Sequence, residues 1–138
     1  MDYIEEQKIL LKNRVKDFYK NKKILVTGGY GYLGSVLVKR LEELGAVVCQ
    51  PKMNLSDPFV WDVLVEGQEI IFHLASKEYD KNRSTATDIL FNIMPLIHLI
   101  DVCKALETMP TIVFTSSTNV FGANKGMISN EWEKSIPL

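Results

Sequence analysis

The segment Lys23-Ile24-Leu25-Val26-Thr27-Gly28-Gly29-Tyr30-Gly31-Tyr32-Leu33-Gly34 constrains the fold more than any other part of the chain. An apolar, β-branched stretch ends at a threonine. Glycines then recur at three-residue spacing (Gly28, Gly31, Gly34), and Ser35-Val36-Leu37-Val38-Lys39-Arg40-Leu41 continues with helical character. Gly29 to Gly34 also reads as G-x-G-x-x-G. A strand, a glycine turn and a helix in this order form an anion site. The first amides of a helix have no intrahelical acceptor, and the helix dipole adds positive charge there. A diphosphate satisfies both. Glycine permits the sharp turn and a close ligand approach, and the last glycine lets helix and strand pack tightly.

The rest of the chain repeats the alternation. Strands are predicted at 23–27, 46–50, 69–75 and 111–116, and helices at 33–44, 57–66 and 86–107. Gly45 and Gly67 stop two of the helices, and Pro51 closes the second strand. Asn54 or Ser56 is placed to cap the second helix, with Pro58 in its first turn. Ile70-Ile71-Phe72 is apolar without alternation, as in a strand buried on both faces. Residues 77–85 read as a polar loop and 117–138 as loop-rich. Strands alternating with helices imply a doubly wound, Rossmann-like α/β fold with a parallel sheet. The expected strand order is 3-2-1-4, with the ligand crevice at the carboxyl ends of strands one and four.

Residues 1–22 form a prelude to this domain of residues 23–138. Ile4, Leu11, Val15 and Phe18 share one helical face, fit to cover apolar surface of the domain or of a neighbour. Lysines suit a membrane surface as well, but Asp2, Glu5, Glu6 and Asp17 dilute that charge. The formal charge of −1 over 138 residues gives no electrostatic case for nucleic acid. No apolar run is expected to reach the length of a membrane span, and no membrane or metal partner is expected. Cys49 and Cys103 lack metal spacing and read as buried, reduced thiols in a cytoplasmic protein.

Several motifs together resemble the extended short-chain dehydrogenase/reductase family, and within it the NAD-dependent epimerases and dehydratases of the UDP-glucose 4-epimerase kind. Thr27-Gly28-x-x-Gly31-x-x-Gly34 is similar to the family's cofactor turn, and His73-Leu74-Ala75-Ser76 to its H-L-A-A/G strand end. Asn92 matches the asparagine of N-V-x-G-T, with Pro95 where glycine is usual. Phe114-Thr115-Ser116-Ser117-Thr118-Asn119-Val120-Phe121-Gly122 resembles F-S-S-S-x-x-V-Y-G. The resemblance implies that Gly28, Gly31 and Gly34, with the Tyr32 and Leu33 amides, hold a dinucleotide diphosphate. It places Asn54 and Leu55 near adenine, and Leu74, Ala75 and Ser76 along the path to the nicotinamide ribose. The resemblance further implies that Asn92 braces the active-site helix and that Ser117 is the catalytic serine that bonds the reacting sugar hydroxyl. His73, in an apolar strand, reads as a core histidine.

Two departures qualify the resemblance. No Asp or Glu lies between Gly45 and Leu55, where an acid usually accepts from the adenosine ribose, and Lys52 stands near that position. A lysine cannot accept a hydrogen bond but can pair with a 2′-phosphate. The residues lean to NADP and the family to NAD; both stay open. The family's catalytic Tyr-x-x-x-Lys pair does not occur downstream of Ser117, and Tyr79 and Lys81 have the wrong spacing. The expectation is the NAD(P)-binding portion of a nucleotide-sugar epimerase, dehydratase or reductase, inactive alone. The alternative is a non-catalytic dinucleotide-binding or assembly module. Without a fifth strand, the edge of strand four is expected to drive homo-oligomer formation.

Overall fold

A computed structural model describes residues 2–78 and 80–117. Tyr79, Thr118 and the motif residues through Gly122 lie outside the described residues. Helix α1 (Tyr3–Tyr19) precedes β1 (Lys23–Thr27), α2 (Tyr32–Glu43), β2 (Val47–Cys49), α3 (Val60–Val65) and β3 (Ile70–His73). Then come α4 (Thr85–Asp88), a π-helical turn (Ile89–Ile93), α5 (Met94–Ala105) and β4 (Thr111–Phe114). All strand pairs are parallel.

The doubly wound parallel architecture is the expected one. The strand order is not: the sheet runs β2-β1-β3-β4 rather than 3-2-1-4. Burial explains the difference. Ile70 and Ile71 of β3 are 7% and 0% exposed, as suits a central strand with helices on both faces. β2 is three residues long and Val47 is 59% exposed, which suits an edge. The chain therefore returns past β1 after β2, and the sheet order reverses between β1 and β3. The crevice moves with it, from strands one and four to strands one and three.

Side chains alternate between two apolar layers. Leu25 and Ile71 pack with Trp61, Leu64 and Val65 of α3 and Leu99 and Cys103 of α5. Ile24, Val26 and Ile70 pack with Val38 and Leu41 of α2 on the opposite face. Each fully buried aliphatic or aromatic side chain contributes about 1.5–3 kcal/mol. Both cysteines are free, Cys103 buried and Cys49 half-buried. Burial pushes the Cys103 thiol above its usual pKa.

The long helix expected at 86–107 is interrupted. Pro95 has no N–H to give to Phe91, and its ring crowds that carbonyl. The turn before it widens, and Met94 N–H bonds to Ile89 O. By length and composition, Thr85–Ala105 could cross a membrane, contrary to expectation. Here its inward residues Leu99 and Cys103 lie in the core. Helix α3 also starts later than expected. Asn54 Oδ1 accepts from Ser56 N and Asp57 Oδ1 from Phe59 N, so two side-chain-closed turns occupy the residues before it.

Candidate dinucleotide site

The β1–α2 turn is built on glycines with separate duties. Gly28 has φ +73°, and a Cβ there would sit 2.8 Å from Leu74 C and Ala75 N, so the ends of β1 and β3 can touch only through glycine. A Cβ on Gly34 would lie 2.1 Å from Gly28 O, so α2 rests directly on the turn. Gly31 is different. It caps α2 with no side chain, and a Cβ would meet only Gly28 O, at 3.2 Å. The space beside Gly31 is otherwise open. The first intrahelical bond of α2 runs from Ser35 N to Gly31 O. The amides of Tyr32, Leu33 and Gly34 precede it and have no intrahelical acceptor.

A cleft of about 480 Å³ opens at this turn. Of the residues expected to hold a dinucleotide, Gly28, Gly31, Asn54, Leu55, Leu74, Ala75 and Ser76 line it. They come from three segments distant in sequence: the β1–β3 pairing joins the first and the last, and Asn54 and Leu55 follow β2 on the other side of β1. Trp61 Nε1 donates to Leu55 O at 2.9 Å, fixing the Asn54–Ser56 wall to the core. Ser56 Oγ donates to Leu90 O at 2.8 Å and ties that wall to the π-turn.

Tyr32, Leu33, Gly34, Lys52 and Asn92 do not line the cleft. Tyr32, Leu33 and Gly34 form the first turn of α2 behind Gly31. The Lys52 ammonium lies 4.3 Å above the Tyr30 ring, beside the glycine turn. Asn92 Oδ1 accepts from Lys77 N at 2.7 Å, and its Nδ2 donates to Lys77 O at 3.2 Å. It braces the wall that follows β3 from behind. Ser117 is exposed and lies beyond the end of β4, one strand further from the glycine turn than expected. It does not line the cleft.

Sequence reasoning missed Met53, Ser56, Lys77, Phe91 and Pro95 as lining residues. Lys77 directly follows the His73–Ser76 motif, and that adjacency was the available signal. Its ammonium sits 4.4 Å over the Phe91 ring, leaving a cation at the cleft wall. Phe91 and Pro95 arrive through the π-turn, which no periodicity announces.

Beneath the cleft, Thr27 and His73 are both buried. Thr27 Oγ1 lies 2.8 Å from His73 Nδ1, and Ala75 N donates to the same oxygen at 3.4 Å. The imidazole tautomer sets which of Thr27 Oγ1 and His73 Nδ1 donates in the bond between them. The imidazole stacks near Trp61 and Phe114, and burial holds its pKa below the usual value. His73 is a neutral core residue that ties the ends of β1 and β3 together. The spacing Tyr-x-x-x-Lys occurs at Tyr19 to Lys23, at the opposite end of β1 from the cleft.

A parallel sheet reversing at a glycine-lined helix N-terminus defines a dinucleotide-binding fold. The chain belongs to the NAD dependent epimerase/dehydratase family, whose sequence profile matches residues 24–138. A mutant of uronate dehydrogenase from Agrobacterium tumefaciens, complexed with NAD, is 26% identical with a TM-score of 0.63, covering 73% of this chain and 43% of that one. Epimerase Mth375 from Methanothermobacter thermautotrophicus shares the fold at a TM-score of 0.75 and 23% identity, covering 88% and 43%. A bifunctional dihydroflavonol 4-reductase/flavanone 4-reductase of Pyrus communis is 26% identical over 71% of this chain and 36% of its own length. The chain thus spans less than half the length of these relatives.

Proposed function

We propose that this chain supplies the NAD(P)-binding portion of a nucleotide-sugar epimerase, dehydratase or reductase. The observation that carries the reading is the glycine-capped N-terminus of α2, opening at Gly31 into a cleft walled by Leu74–Ser76 and Asn54–Ser56. The open space where a Gly31 Cβ would stand fits a diphosphate against unpaired amides. A nicotinamide dinucleotide held there would supply hydride-transfer chemistry at a sugar carbon. The chain's own residues seat the diphosphate, enclose the adenosine side with Asn54 and Leu55, and hold the ribose path with Leu74, Ala75 and Ser76. Asn92 positions that path through Lys77, and Ser117 offers its hydroxyl to the sugar. Lys52, held beside the turn by Tyr30, favours a 2′-phosphate and hence NADP over NAD.

The 138 residues carry no Tyr-x-x-x-Lys after Ser117, so proton transfer at the sugar requires a group from elsewhere, and this chain alone is inactive. The unpaired thiols suit a reducing cytoplasmic compartment. Titration calorimetry with NAD and NADP tests the assignment. Binding that disappears in Gly31→Val, with circular dichroism unchanged, supports it. Millimolar concentrations of both dinucleotides without heat of binding refute it.

A further inference from the structure

Among the described residues, helix α1 meets the domain's apolar core at its last turn, where half-buried Tyr19 packs against the cluster of Ile24, Val38 and Leu41, and leaves the rest of its length uncovered. It is 17 residues long, and none of them is buried. Ile4, Leu11, Val15 and Phe18 are 59%, 62%, 39% and 56% exposed. With Lys8 they form one straight stripe at i, i+4, i+7, i+11 and i+14. A helix of this length standing alone in water is marginal, and most helical stability comes from packing an apolar face. Before Tyr19, no described residue of the body provides that packing. The ends of the helix are nonetheless well made. Asp2 caps it, and Asn21, at φ 62°, donates its N–H to Gly45 O, so the helix leaves the domain at a fixed point.

Its charges are segregated along its length. In residues 2–9, Asp2, Glu5 and Glu6 outweigh Lys8 by two charges. In residues 10–17, Lys12, Arg14 and Lys16 outweigh Asp17 by two. A second copy laid antiparallel matches each acidic half with a basic half. It also aligns Ile4 with Val15 of the other copy and Lys8 with Leu11, a continuous seam about a two-fold axis between Ile9 and Leu10. A parallel pair would set like charges side by side. We propose that α1 is a self-association helix, pairing antiparallel with α1 of a second copy of this chain. A helix about 26 Å long offers less than a standard protein interface. The pairing is therefore a concentration-dependent equilibrium.

A charge-swap experiment on the full chain tests the proposal, because the same charges also favour the helix through its dipole. Sedimentation velocity of the wild type is expected to move from monomer towards dimer as concentration rises to about 100 μM. Glu5→Lys/Glu6→Lys and Lys12→Glu/Lys16→Glu should each sediment as monomers, and an equimolar mixture of the two should recover the dimer. A Lys8→Cys variant should form a disulfide-linked dimer under mild oxidation. An Ile4→Cys variant should not, since antiparallel pairing sets the two introduced thiols about 16 Å apart along the seam. Dimerisation unaltered by both charge variants places the contact elsewhere, such as the β4 edge, and overturns the proposal. So does a wild type that stays monomeric but sediments with anionic phosphatidylserine vesicles, which makes α1 a membrane-surface helix.

Discussion

Gly34 and Gly31 lie in one turn and differ in what a single methyl group does to them. In Gly34→Ala the new Cβ would stand 2.1 Å from Gly28 O, 2.8 Å from Gly28 C and 2.8 Å from Gly29 Cα. All three are backbone atoms, so no side chain can swing aside. Ordinary contact begins near 3.4 Å, and α2 must retreat by about 1.3 Å. Overpacking of this kind costs about 3 kcal/mol, and alanine recovers up to about 1 kcal/mol in helix propensity. The net loss is about 2 kcal/mol, or about 1 M in the urea midpoint at an m-value near 2 kcal/mol/M. Gly31→Ala meets one atom at 3.2 Å, and Gly31 has φ −76°, open to any residue. Its stability should stay within about 0.5 kcal/mol of wild type. Dinucleotide affinity should fall in both, through displaced amides in one and a blocked approach in the other. Urea unfolding followed by far-UV circular dichroism, with calorimetric titration, reads both quantities. The reasoning fails if Gly34→Ala unfolds at or above the wild-type midpoint, or if Gly31→Ala is the less stable of the two.

Three further outcomes follow from the same contacts. His73 has a depressed pKa when folded against 6.5 unfolded, so the unfolded chain takes up the proton first. Stability should hold above about pH 7.5 and decline as pH falls through 6.5, before most carboxylates titrate near pH 4; urea midpoints for His73→Gln should lose this slope between about pH 5 and 6.5. Asn92→Ala removes both hydrogen bonds to the Lys77 backbone. It should cost about 1–2 kcal/mol and raise amide exchange at Ser76 and Lys77, and unchanged exchange would contradict the bracing role. Lys52→Glu should weaken NADP by at least about tenfold, equivalent to about 1.4 kcal/mol, while NAD affinity holds or rises; equal losses for both dinucleotides would remove Lys52 from cofactor selection.

The sequence alone determined the local elements and the chemistry of the turn. Gly28, Gly31 and Gly34 announced a strand–turn–helix corner because glycine permits close backbone approaches at Gly28 and Gly34 and leaves space beside Gly31. Ile70-Ile71-Phe72 announced a doubly buried strand, and His73 a core histidine. Which strands became neighbours was decided by tertiary packing. β3 took the central place between β1 and β4, where helices cover both its faces, and exposed Val47 marks β2 as the rim. That choice moved the crevice to β1 and β3, leaving Ser117 a strand further away. The π-turn before Pro95, the bracing of Lys77 by Asn92 and the uncovered stripe of α1 were equally beyond a sequence reading. A periodicity tells which face of an element is apolar. What covers that face depends on contacts between residues far apart in the chain, and those exist only once the whole sheet has closed.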